Sequence, residues 1–120
     1  MTQITARDVV GKYNRALEAK DFVAARRYLA ENLRFEGPID RFEKADDYIG
    51  AITRLYGMVK GVEHVTTIVE GDDVAVFYVL DTPVARAPVA EWYRVRNGKI
   101  VELRAYFDAR PFASSTPSGN

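Results

Sequence analysis

The hydrophobic repeat of this chain changes period near its middle. Up to about residue 60, apolar residues recur mainly every three or four positions; from residue 62 they alternate or run continuously between turn signals. Helices first and hairpin-linked strands afterwards place the chain in the α+β class. With 120 residues it makes one domain, over 1–112, large enough to need neither disulfides nor a structural metal.

The boundaries follow from local chemistry. Thr5-Ala6-Arg7-Asp8 forms a capping box, and Val9, Val10, Tyr13, Ala16 and Leu17 continue one apolar stripe on a helix over about 6–19. Asp21 caps a short second helix with Phe22, Ala25, Tyr28 and Leu29 on one face and Arg26 and Arg27 on the other. Leu33, Phe35 and Gly37 alternate with Arg34 and Glu36 in a short strand stopped at Gly37-Pro38. A third helix is predicted over about 44–60, with Gly61 as its C-cap. Strands follow over 62–69, 74–81, 90–96 and 99–108, with Pro83 and Pro88 bracketing one connection and Asn97-Gly98 giving a tight hairpin. Residues 113–120 read as a disordered tail.

Composition removes several functions. No cysteine and one histidine leave no thiolate catalysis and no ordinary zinc site. Seventeen basic residues balance seventeen acidic ones without a basic run, against nucleic-acid binding. Every serine (Ser114, Ser115, Ser118) lies in the tail, so no Ser-His-Asp triad fits the folded part. No apolar run approaches a membrane span and no signal-peptide core opens the chain, so a soluble cytoplasmic protein with no membrane partner is expected. The paired acids Asp46-Asp47 and Asp72-Asp73 read as a first helical turn and a hairpin loop, and no metal site is expected.

In the strand over 74–81 both faces are apolar, Ala75, Phe77 and Val79 against Val76, Tyr78 and Leu80. The second face needs a cover, and a homodimer through the outer sheet face, with Trp92 pointing into it, supplies one.

The order helix, helix, strand, helix, four strands resembles the nuclear transport factor 2-like, or SnoaL-like, superfamily over about residues 4–110. The residues that carry the resemblance are Val9-Val10-Gly11-Lys12-Tyr13, Lys20-Asp21-Phe22, Leu33-Arg34-Phe35-Glu36-Gly37-Pro38, Trp92 to Val101, and Arg104-Ala105-Tyr106-Phe107-Asp108. It implies three N-terminal helices packed on a strongly curved, mostly antiparallel sheet that forms a conical pocket, and relatives that include ketosteroid isomerases, epoxide hydrolases and polyketide cyclases. Tyr13 falls at the isomerase's oxyanion-hole tyrosine and Glu91 at its protonated acid, whereas its general base falls on Gly37. The epoxide hydrolase's acid falls on Ala105.

The candidate site follows. Tyr13 is a hydrogen-bond donor. Glu91, in phase with Tyr93 and Val95 on an otherwise apolar strand, is a buried acid whose pKa desolvation raises. His64, on the parity of Val62, Thr66 and Ile68, and Asp81, in phase with Ala75, Phe77 and Val79 and so directed inward, are the candidate bases. Each also has a structural reading: a core tyrosine, an edge carboxylate, a satisfied histidine, a turn-initiating aspartate. Phe35, Tyr48, Tyr56, Phe77, Tyr93, Leu103 and Phe107 line the pocket; Tyr48, Tyr56 and Met58 also suit the core, and Asp108 pairs with Arg104. The expected function is binding of a small, apolar, oxygenated molecule, with cofactor-free acid–base isomerase, cyclase or hydrolase chemistry. The alternative is a non-catalytic binding or dimerisation module.

Overall fold

The computed structural model describes residues 4–113 and forms one six-stranded sheet with four helices. In chain order the elements are α1 (Ala6–Glu18), α2 (Phe22–Arg26), β1 (Leu29–Glu36), β2 (Arg41–Phe42), α3 (Ala45–Tyr56), β3 (Gly61–Glu70), β4 (Asp73–Asp81), β5 (Arg86–Arg96), β6 (Lys99–Tyr106) and α4 (Arg110–Ala113). The strands run β2-β1-β6-β5-β4-β3 across the sheet, and only β1 and β6 are parallel.

The α+β class holds, with two differences. The described residues form four helices, two of them long, and the sheet is open rather than strongly curled or closed, ending in β2 on one side and β3 on the other. The tail expected over 113–120 lies, apart from Ala113 at the end of α4, outside the described residues.

Local chemistry explains where elements begin and end. The capping box of α1 is complete: Thr5 Oγ1 accepts from the Asp8 amide and the Asp8 carboxylate from the Thr5 amide. The helix ends on Lys20 at φ 60°, where the Asp21 amide reaches back to the Ala16 carbonyl, a Schellman closure built on a non-glycine residue. Tyr28 and Leu29 lie beyond α2. The Tyr28 carbonyl accepts from the Ile100 amide, which recruits Leu29 into β1 four residues before the predicted strand. Helix α3 stops at its C-cap Gly57, not at Gly61, because the Lys60 amide already donates to the Asp81 carbonyl and Gly61 begins β3. Met58 is therefore past the helix and exposed rather than in the core.

Pro88 lies inside β5, opposite Val79, instead of bounding a loop. Pairing with β6 begins only at Ala90, so the strand is one-sided there and tolerates a residue without an amide hydrogen. Asn97 and Gly98, both at positive φ, make the β5–β6 turn as predicted.

The core lies between the helices and the inner sheet face, where Tyr13, Val10, Leu33, Val74, Tyr93, Ile100 and Leu103 are almost fully buried. On β5 the inward residues are Ala87, Val89, Glu91, Tyr93 and Val95, as the alternation predicts. On β4 the parity is the reverse of the expected one. Val76 and Val74 pair with Glu91 and Tyr93 and share their inward face, which sends Ala75, Phe77, Val79 and Asp81 outward. Both faces of β4 are apolar, so alternation within the strand could not choose; the register with β5 does.

Candidate active site

A cavity of about 180 Å³ opens between α3 and the inner face of β4, β5 and β6. Phe35, Gly37 and Ala105 line one side, Tyr48, Ile52, Leu55 and Tyr56 of α3 another, and Tyr78, Leu80, Val89 and Glu91 form the sheet wall. Phe107 and Phe112, stacked edge to face at 5.7 Å, Leu17, Ala87 and the Pro38–Asp40 loop also line it.

Glu91 is the one carboxyl buried in this wall; Asp40, the other acid lining the cavity, is exposed. The Tyr93 hydroxyl donates to Glu91 Oε1, and Tyr78 hydrogen-bonds the same carboxyl from β4. Desolvation pushes its pKa above the usual carboxylate range, and the donated bonds from Tyr93 and Tyr78 oppose that rise. The surrounding phenols, Tyr13, Tyr48, Tyr56, Tyr78 and Tyr93, are held above their ordinary pKa by burial first, so they remain neutral donors.

The sequence-predicted residues divide into three groups. Glu91, Phe35, Tyr48, Tyr56 and Phe107 line the cavity. Tyr13, Tyr93 and Leu103 are fully buried behind its wall: Tyr13 meets Tyr48 hydroxyl to hydroxyl at 2.8 Å and packs edge-on against Tyr93, while Leu103 pairs with Phe35 and Tyr93 in the sheet. His64, Asp81 and Phe77 lie elsewhere. Phe77 and Asp81 are on the outer face for the register reason above. A bulge at Val65 separates His64, opposite Tyr78, from Thr66 and Ile68, which pair with Phe77 and Ala75 on the other face. His64 Nε2 bonds Thr67 Oγ1 at 2.8 Å and borders a different cleft, against α1. Neither candidate base reaches Glu91. Asp108 binds Arg110, which draws its carboxyl down to about 2, and Arg104 pairs with Glu102 instead.

Two participants were not foreseen. Alternation within β4 puts Tyr78 on its outer set, and the β5 pairing is the signal that moves it inward. Asn14, whose Oδ1 is 3.3 Å from the Tyr93 hydroxyl, carries no sequence signal beyond its place next to Tyr13. The structure also explains Gly37. A Cβ there would meet the Phe35 ring edge at 3.0 Å, so the aromatic ring takes the space a side chain would need. Ala105 faces inward directly across from Glu91, so this part of the wall carries its acid on β5 and not on β6.

Among the described residues no group of three or more His, Cys, Asp or Glu side chains could hold a metal ion. No described helix is long and apolar enough to cross a membrane.

Residues 10–103 match the model of a SnoaL-like domain. The chain is 31% identical to an NTF2-like protein of unknown function from Cytophaga hutchinsonii, over 93% of this chain and 97% of that one, with a TM-score of 0.82. An LEH-like epoxide hydrolase of M. tuberculosis superposes with a TM-score of 0.73 at 23% identity, over 91% and 86% of the two chains, a likeness of fold. A de novo designed protein with a curved β-sheet superposes with a TM-score of 0.79 at 25% identity, over 92% of this chain and 90% of that one. No curated protein matches.

Proposed function

This chain belongs to the SnoaL-like domain family, and from that premise we propose that it binds a small, mostly apolar, oxygenated molecule in the aromatic cavity and moves a proton on it with Glu91. The observation that carries this reading is a single buried carboxyl on an apolar wall, hydrogen-bonded by two tyrosines. A raised pKa makes the carboxyl a stronger base when ionised and keeps it protonated to higher pH than an ordinary carboxyl, which suits it to taking and returning a proton. Tyr56 replaces Tyr13 as donor to the ligand oxygen: Tyr56 lines the cavity, whereas Tyr13 does not and its hydroxyl is engaged with Tyr48. A space of about 180 Å³ suits a ring-sized ligand, since a cavity of roughly 150 Å³ holds benzene.

The test is calorimetric titration and a turnover screen of ring-sized enones, ketones and epoxides, with cyclohexenone as the first probe. Wild type should bind and convert a member of the panel. Glu91→Gln should keep binding within a few-fold and lose at least about 100-fold in turnover. Unchanged turnover in that variant overturns the catalytic role. Binding without turnover across the panel moves the protein to the non-catalytic reading, which Gly37 and Ala105 favour by lacking a second carboxyl.

We also infer a homodimer through the outer face. The half-buried Phe77, Val79, Ala90 and Trp92 and the exposed Ile68 and Tyr106 form an apolar strip there. A second copy of the same strip would cover it.

A further inference from the structure

Tyr93 has one hydroxyl hydrogen and two acceptors. Its oxygen donates to Glu91 on one side and lies within 3.3 Å of Asn14 Oδ1 on the other, and one hydrogen serves only one of them at a time. The tyrosine is fully buried, which leaves these two partners. Asn14 is half-buried on α1 and borders a second cleft, of about 390 Å³, between α1 and the β3–β4 edge; Tyr78 is part of the wall of both spaces.

The geometry points to Tyr93 as a two-position hydrogen-bond switch, with Asn14 as the positioning residue that sets the protonation of Glu91. With the carboxyl ionised, Tyr93 donates to it and the Asn14 carbonyl is left to solvent in the second cleft. With the carboxyl protonated, its own O–H donates to the Tyr93 oxygen, and the Tyr93 hydrogen turns to Asn14. The proton taken up comes from ligand or water, and every other change is a hydrogen-bond rearrangement. Without Asn14 the turned hydrogen would be buried and unpaired, so the amide favours the neutral acid.

The groups facing Glu91 are Tyr93 on its own strand, Tyr78 on β4, Tyr48 and Tyr56 on α3 and Tyr13 on α1, with Glu18 acting on Tyr56. Asp40 lies at the cavity edge, and Arg7, Asp8, Arg15, Glu18 and His64 border the second cleft. None of the phenols titrates with a carboxyl, so the switch belongs to Tyr93 and Asn14.

This inference deepens the acid–base reading, yet its test needs no substrate. Carbon-13 NMR of labelled glutamate, with Glu91→Gln assigning the resonance, follows the Glu91 titration directly. Asn14→Leu should lower the midpoint by about one pH unit, a tenfold change in the protonation equilibrium. Asn14→Ala serves if leucine does not fit, and Asn14→Asp, which keeps an acceptor, should not lower the midpoint. In a Tyr93→Phe background, Asn14→Leu should shift nothing further. An unmoved midpoint in Asn14→Leu, or an equal shift in both backgrounds, overturns the switch. Either result stands whether or not the cavity binds a ligand.

Discussion

The hydroxyls of Tyr13 and Tyr48 are 2.8 Å apart but are not interchangeable. Tyr48 stands on the cavity wall, where water can replace a lost partner, whereas Tyr13 is completely enclosed. Tyr48→Phe should therefore destabilise the fold by about 1–2 kcal/mol more than Tyr13→Phe, because it orphans a buried hydroxyl; urea denaturation of the two variants measures the difference. Glu91 gives the second residue-scale prediction. Its carboxyl is raised mainly by desolvation. As pH climbs through the ordinary carboxylate range, the unfolded chain gives up this proton while the folded chain keeps it. Stability falls until the folded carboxyl has ionised too. Glutamine has no proton to lose, so the melting temperature of Glu91→Gln should gain on wild type as pH climbs above the ordinary carboxylate range, until the folded carboxyl ionises; scanning calorimetry reads it, and a constant difference refutes it. Glu91 was legible because it is the lone acid in phase with apolar neighbours on a strand whose alternation is clear. His64 and Asp81 were not. One sits beside a bulge and the other on a strand apolar on both faces, and within-strand patterns decide neither case.

At the scale of elements, the sequence marks most centres and misplaces several ends. The N-caps Thr5 and Asp21 and the Asn97-Gly98 turn are chemical signals that the structure repeats, whereas the C-cap expected at Gly61 falls at Gly57. The start of β1, the end of α3 and the course of β5 through Pro88 depend on backbone partners contributed by β6 and β4, distant in the chain. Helix α4 and the two-residue β2 are too short to show a period. The closure of α1 retains a cost. Lys20 occupies a left-handed conformation, at φ 60°, that glycine adopts without strain. Lys20→Gly should stabilise the protein by about 0.5–1 kcal/mol, and an unchanged denaturation midpoint would show that the lysine is unstrained there.

For the molecule as a whole, the open sheet sets two faces to different work. The inner face packs the core and carries the acid; the outer face is a strip of half-buried apolar residues. Phe77→Arg places a charge in the middle of that strip, and sedimentation should show a dimer for wild type and a monomer for the variant. Because Phe77 lies across the sheet from the cavity, ligand affinity should survive the change; a variant still dimeric refutes the interface. Trp92 belongs to this outer face, its indole flanked by the guanidinium groups of Arg94 and Arg104 at 5.0 and 5.4 Å and its Nε1 donating to Asp73. It is the chain's one tryptophan, while five of the seven tyrosines gather around Glu91. If the outer face pairs as proposed, indole emission would report subunit association on one side of the sheet, while ultraviolet difference absorbance of those five tyrosines reports events at the carboxyl on the other.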